Sequence, residues 1–209
     1  MTTIPTTTPT PTVARATAWD RGRLVNVLSA AFADDPVFTW IEPDPTRRAA
    51  ILPATFGAFA AAFARHETTD LVRIDGAAAG AALWAPPGVE PVHPDDADLI
   101  GEAMGVYTPE AQARIGALMA AFEAAHPKEP AWYLNFLGVT PARQGLGLGS
   151  ALLRPVLHRG DVAGHGAYLE ATSERNRALY ERHGFRCVGD IPLPDGPTVY
   201  AMGRKPVRP

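Results

Sequence analysis

Residues 134–154 read Leu-Asn-Phe-Leu-Gly-Val-Thr-Pro-Ala-Arg-Gln-Gly-Leu-Gly-Leu-Gly-Ser-Ala-Leu-Leu-Arg. The stretch up to Val139 is apolar and uncharged, as a buried strand requires. Thr140 and Pro141 end it. Glycine then takes alternate positions at Gly145, Gly147 and Gly149, before the helix formers Ala151, Leu152 and Leu153. Glycine permits backbone angles barred to other residues and lets a ligand approach the main chain without meeting a Cβ. The turn also leaves N–H groups at a helix N-terminus, where the helix dipole adds a partial charge of roughly +0.5. Strand, glycine turn and helix together predict an anion site suited to a pyrophosphate.

The spacing narrows the choice of pyrophosphate. A phosphate loop of the Walker type needs a Lys before the final Ser or Thr, and no Lys precedes Ser150. A dinucleotide fingerprint needs its third glycine at 150 or 152, where Ser150 and Leu152 stand, and no ribose-binding acid follows in a βαβ unit. The remaining pattern is Gln-x-x-Gly-x-Gly, carried by Gln144, Gly147 and Gly149.

Outward from this turn, the chain alternates strands with helices and predicts a single α/β domain over 13–209. A Thr/Pro-rich tail over 1–12 has too little apolar content to bury a core. A short strand is expected at Val13–Thr17, and a helix at Arg21–Ala33 with Asp20 as its cap. Asp34-Asp35-Pro36 reads as a helix stop, followed by a loop from Val37 to Asp44. In that loop Trp40 and Glu42 set an aromatic ring beside an acid, which suits an amine-bearing substrate; simple packing of Trp40 under the loop is the competing expectation. A second helix is expected at Thr46–Arg65, with Pro53 a candidate kink. Asp75-Gly76 turns a hairpin between Leu71–Ile74 and Ala77–Trp84. Residues 89–130 form an excursion with two helices, near Asp95–Gly105 and Pro109–Ala125, which would supply part of a substrate wall. Trp132–Val139 is the strand entering the glycine turn, and the helix after it runs to about Arg159. Ala167–Ala171, Phe185–Asp190 and Thr198–Arg204 are further strands, and Asn176–His183 is a helix closed by Gly184.

Composition removes several classes. The 209-residue chain has a net charge of −3 and 46% hydrophobic content. No basic footprint for nucleic acid stands out. No apolar run approaches the ~20 residues of a membrane span, and no signal peptide is read at the N-terminus. The single cysteine, Cys187, rules out an internal disulfide and a cysteine-based metal site; it is expected to be buried in its strand. A cytoplasmic setting and no metal are the resulting expectations.

Thr172-Ser-Glu-Arg-Asn-Arg-Ala-Leu-Tyr-Glu-Arg-His-Gly-Phe185 supplies a second motif, Asn-x-x-x-Tyr-Glu-x-x-Gly-Phe, about 30 residues after the first. The two motifs, in this order and at this distance, resemble the signature of the GNAT family of N-acetyltransferases. Over residues 126–206 the resemblance extends to the puromycin N-acetyltransferase group of actinobacterial enzymes, which implies an antibiotic-resistance role. The family resemblance implies a mixed, mostly antiparallel central sheet of about six or seven strands with flanking helices. It also implies a V-shaped splay between the fourth and fifth strands and acetyl-CoA as co-substrate. On that resemblance Leu137, Gly138 and Val139 would bond the pantetheine arm through their main chain. The amides of Arg143, Gln144, Gly145, Leu146, Gly147, Leu148, Gly149 and Ser150 would hold the diphosphate. Asn176 would meet the pantetheine amide region, and Tyr180, one helical turn on, would contact the cofactor and protonate the leaving thiolate.

Glu170 is the expected general base. It alternates with buried residues on a strand where a carboxylate is costly without a partner, and burial raises its pKa toward a useful value. Glu42 and a water chain remain as alternatives. The activity implied is acetyl transfer to a primary amine of a small molecule by direct attack in a ternary complex, with a monomer or homodimer as the working unit. A non-catalytic acyl-CoA-binding regulatory module and a protein N-terminal or lysine acetyltransferase share the same motifs.

Overall fold

The computed structural model describes residues 10–207. Thr12–Arg15 (β1), Thr69–Ile74 (β2), Ala77–Ala85 (β3), Trp132–Val139 (β4), Ala167–Ala171 (β5), Arg186–Pro192 (β6) and Thr198–Arg204 (β7) form one seven-stranded sheet. Its order is β1-β2-β3-β4-β5-β7-β6. Only β4 and β5 run parallel; every other neighbouring pair is antiparallel. The mixed, mostly antiparallel sheet expected from the sequence is the sheet observed. Of the tail over 1–12, residues 1–9 lie outside the described residues, and Thr12 already belongs to β1.

The helices are Arg21–Phe32 (α1), Pro36–Ile41 (α2), Pro45–Ala62 (α3), Ala97–Met104 (α4), Pro109–Ala125 (α5), Leu148–Ala163 (α6) and Glu174–Glu181 (α7). α6 covers one face of the sheet, where Leu152, Leu153 and Val156 pack with Val72, Trp84 and Leu134. α1 and α3 cover the other, where Leu28, Phe56 and Phe63 meet Leu71 and Leu83. A third cluster joins α2 and α5 to the C-terminal strands through Ile41, Leu118, Tyr168 and Val199. Successive strand residues point to opposite faces, Val72 and Trp84 toward α6 and Leu71 and Leu83 toward α1 and α3, so the β2–β3–β4 centre is buried on both sides.

Three expectations are corrected. The loop over 37–44 is in part a helix, because Asp35-Pro36 starts α2. The Asp35 side chain accepts from the Val37 and Phe38 amides at 2.9 and 3.3 Å, and Pro36 takes the first helical position, where a missing N–H costs nothing. Asp20 does not cap α1 with its side chain; it folds back to the Thr17 amide and reaches Arg73 at 2.7 Å, which holds its carboxyl down at about 2. Cys187 is half-buried, because β6 is an edge strand whose side chains mostly face solvent. The Asp75-Gly76 turn is as expected, with both residues at positive φ (51° and 78°), the geometry a two-residue hairpin favours.

Candidate active site

The strand leading into the glycine turn parts from its neighbour. β4 pairs with β3 along its length, but with β5 only at Trp132, Tyr133 and Leu134. Beyond Leu134 the two parallel strands diverge, which opens the expected V-shaped gap. The register of β3 against β4 jumps from Leu83↔Phe136 to Trp84↔Leu134, so Asn135 is an extra residue, a bulge at the apex of the gap. Thr140 N–H donates to Ala79 O at 2.9 Å. Strand alternation therefore turns the main-chain groups of Leu137 and Val139 toward the gap and those of Gly138 toward β3. The Val139 carbonyl accepts from Gln144 Nε2 at 3.2 Å, consistent with that direction.

Gly138 thus differs from its two neighbours. A Cβ on it would lie 2.7 Å from the Ala31 Cβ and 3.2 Å from Leu28 and Phe32 side-chain atoms. Its glycine lets α1 sit against the sheet, and its main chain is directed away from the gap, which corrects its expected part in bonding the pantetheine arm.

At the open end of β4 the turn stands clear of the protein. Gly145 and Gly147 adopt φ of 80° and 76°, and Gly147 caps α6 from the left-handed region. Arg143 and Gln144 use their amides inside the turn, donating to Thr140 O and Pro141 O, which removes these two from the expected cradle of main-chain donors. From Gly145 through Ser150 the amides have no protein acceptor among the described residues. These donors gather at the N-terminus of a 16-residue helix, an arrangement that holds diphosphate oxygens well. Gly149 packs under α7, where an added Cβ would meet Leu179 at 3.1 Å. Ser150 is engaged by His183 Nε2 at 2.8 Å.

Across the gap α7 presents Asn176 and Tyr180 to the same cavity. Ser173 starts this helix by accepting from the Asn176 amide at 3.2 Å. Tyr180 is 6% exposed. Burial, with the Asp35 charge adding to it, pushes its phenol above the ordinary value, so it stays protonated at neutral pH. Asn176 Nδ2 donates to Thr172 Oγ1 at 3.1 Å, and Thr172 Oγ1 donates to Asp35 Oδ2 at 2.5 Å. Asp35 is buried, and its pKa is raised by that burial against the opposing bond from Thr172. One carboxylate therefore caps α2 and anchors the residue pair next to Tyr180. The pairing with Thr172, 137 positions away in sequence, left no sequence signal, and Asp35-Pro36, which starts α2, reads in the sequence as a helix stop.

Glu170 lies on β5 at the closed end of the gap. Its Oε2 accepts from the Tyr133 phenol at 2.8 Å, and its Oε1 is shut off from solvent without a partner. Burial pushes its pKa up to about 7, against the lowering effect of the Tyr133 bond. Tyr133 was not singled out by the sequence, where it read only as a strand aromatic.

The cavity joining these groups encloses about 780 Å³. Leu137 lines it, as do Phe59, Ile100, Met104, Leu118 and Phe122, so α4 and α5 of the excursion do form part of its wall. Trp40 and Glu42 do not line it, which corrects their expected contact with the substrate. Trp40 Nε1 donates to Pro194 O at 3.0 Å, and its ring is packed on Gly196. Glu42 is buried, accepts from the Asp44 amide and pairs with Arg47 at 3.3 Å, so its charge is spent inside its own loop.

Residues 31–185 match the family model described as "Acetyltransferase (GNAT) family". A solved Corynebacterium glutamicum protein, described as histone acetyltransferase HPA2 and related acetyltransferase, is 33% identical, with 95% of this chain and 98% of that one covered and a TM-score of 0.69. A mosquito arylalkylamine N-acetyltransferase-like protein shares the fold at 15% identity and a TM-score of 0.65, over 94% and 100% of the two chains. A Drosophila melanogaster polyamine N-acetyltransferase that forms N-acetylagmatine does so at 17% and 0.64, over 94% and 100%. Among curated proteins, an uncharacterized N-acetyltransferase of Schizosaccharomyces pombe is 39% identical over 54 residues, which are 26% of this chain and 22% of that protein's length.

Proposed function

The chain belongs to the acetyltransferase (GNAT) family, and from that premise we propose that it moves an acetyl group from acetyl-CoA to a primary amine of a small molecule in a ternary complex. The observation that carries this proposal is the continuity of one cavity. It runs from the gap-facing strand residue Leu137, past the phenol of Tyr180, to a carboxyl group at Glu170 poised near neutrality.

Acetyl-CoA, as co-substrate, supplies an acyl group already activated as a thioester. The amides from Gly145 through Ser150 fit its diphosphate, and the main chain of Leu137 and Val139 fits its pantetheine amides, since both sets lack a strand or helix partner on that side. Glu170 accepts a proton from the ammonium form of the acceptor and leaves the nitrogen lone pair free. As the new C–N bond forms and the C–S bond breaks, Tyr180 donates its proton to the departing thiolate. The second proton lost by the nitrogen restores the phenol. The result is an amide and CoA thiol, with one net proton released. The desolvation that raises the Tyr180 pKa raises that of the thiol in the same dry space, which keeps the two matched. Thr172, held by Asp35, fixes the Asn176 amide where the pantetheine arm would pass.

Small-molecule transfer is favoured over action on protein chains because α4 and α5 add an apolar wall to the acceptor side of the cavity. Arylalkylamine and agmatine enzymes among the fold neighbours act on small amines, and the resemblance to the puromycin group places an aminonucleoside among the acceptors to be assayed. Release of CoA thiol from acetyl-CoA across a panel of amines tests the reading. Turnover with at least one small amine is expected, and CoA binding without turnover for any amine would instead identify a regulatory acyl-CoA-binding module.

A further inference from the structure

The cavity wall carries information about the acceptor beyond its being an amine. Its interior is apolar: Phe32, Phe38, Phe59, Ile100, Met104 and Phe122 face it from five helices. Phe59 stacks edge-on against Phe136 with ring centroids 4.8 Å apart, and Phe32 and Phe38 meet at 5.6 Å, so this wall is packed and preformed. The charged groups that line it are all acids. Asp35 and Glu170 lie toward the reacting end, while Glu90 and Glu123 are exposed members of the lining.

Among the described residues no lysine or arginine lines the cavity. Two cations on the surrounding helices lie outside the lining and direct their N–H groups to main-chain carbonyls. Arg114 of α5 donates to Trp40 O and Ile41 O, and Arg48 of α3 donates to Ala33 O and Glu42 O. The imidazole of His126 is pushed below its ordinary value by burial and is edge-on to Tyr133 and Tyr168, so it adds no standing charge at neutral pH.

We propose that the acceptor is a primary amine with an apolar aryl or alkyl body and no carboxylate, its ammonium directed to Glu170 and its body enclosed by α3, α4 and α5. This rests on the transferase reading given above. A lining that holds acids and no lysine or arginine favours an ammonium over a carboxylate. The apolar wall discriminates by the area of substrate it removes from water. Amino acids and short polar amines are therefore poor acceptors, whereas their decarboxylated aryl counterparts are good ones.

Tyramine, tyrosine and ethanolamine separate the two demands. Tyramine and tyrosine differ only in the carboxylate, and ethanolamine keeps the amine but lacks the ring. With acetyl-CoA saturating, kcat/KM for tyramine should exceed that for ethanolamine by about 100-fold and that for tyrosine by about 30-fold. Equal values for tyramine and tyrosine, or for tyramine and ethanolamine, overturn the proposal. Glu123→Lys, at an exposed position, should narrow the preference for tyramine over tyrosine by about fivefold; an unchanged ratio removes the charge argument. Melting temperature in the presence of each amine and CoA gives a readout independent of turnover. If no amine is acetylated, the transferase reading fails. In that case a shift with tyramine and none with tyrosine still upholds the acceptor class, and equal shifts overturn it.

Discussion

The two ends of the cavity are built on different principles. The end proposed for the cofactor is main chain: a parted strand, continued beyond the cavity lining by a left-handed glycine turn and the first amides of α6. The end proposed for the acceptor is made of side chains, and almost any apolar set of the right volume on α3, α4 and α5 would serve. Main-chain sites constrain sequence sharply, because glycine adopts the angles and close approaches they need at the least cost. Side-chain chambers constrain it weakly, because many combinations of Phe, Met, Ile and Leu fill the same space. One end is therefore rigidly specified and shared widely, and the other is free to vary with the acceptor.

The largest effect should come where the two ends meet. Tyr180→Phe removes the proton donor while keeping the ring, and kcat should fall by about 100-fold or more. The KM for acetyl-CoA should stay within about threefold; steady-state kinetics with both substrates would show it, and an unchanged kcat would take Tyr180 out of the acid role.

Next comes the turn. Gly147 has no atom near its missing Cβ, so Gly147→Ala imposes only the backbone penalty of a residue at φ 76°, about 1–2 kcal/mol. The KM for acetyl-CoA should rise about tenfold with the acceptor KM little changed. A rise in the acceptor KM alone would break the division between the two ends.

Gly138→Ala sharpens the division from the other direction. Its Cβ would press on Ala31 and Leu28, so the loss should appear as stability, about 1–3 kcal/mol in urea unfolding, with the acetyl-CoA KM nearly intact in the folded fraction.

Glu170→Gln tests the charge on the closed end. The carboxyl titrates near 7 when folded, against an ordinary 4.5. A carboxyl whose pKa is raised by folding holds its proton more tightly in the native state. Its contribution is thus fully present below 4.5 and is lost as pH rises through 7. At pH 8 the variant should melt about 2–4 °C above the wild type, a difference that vanishes near pH 5. The fall in kcat/KM below pH 7 should flatten at the same time, because the base is active only when ionised. A parallel shift at both pH values would remove the ionisation argument. Smallest of all, Met104→Leu should alter the acceptor KM by less than about threefold. A large effect there would mean that the chamber is as tightly specified as the turn.

The same division decided what was legible in the sequence. The strand, turn and helix over Leu134–Ser150 were readable because Gly145 and Gly147 advertise positive φ, and the shared face of Asn176 and Tyr180 because a helical turn separates them. Glu170 stood out as a carboxylate in an apolar strand. Asp35 was missed because its partner Thr172 lies on another element, and hydrogen bonds between distant segments leave no periodicity. Trp40 and Glu42 looked like a recognition pair by chemistry alone; in the fold, Gly196 and Arg47 claim them first. The helices of the excursion were visible, but nothing in their composition distinguished the face that lines a chamber from the face that packs.

The bulge at Asn135 and the brief pairing of β4 with β5 set up an unusual exchange pattern along a single strand. The amide hydrogens of Phe136 and Gly138 are tied to β3, whereas those of Leu137 and Val139 point into the opening between strands. In deuterated solvent the unliganded strand should label at every second residue. A molecule with its own amides, lying in that opening, would act as an eighth strand and silence the alternation.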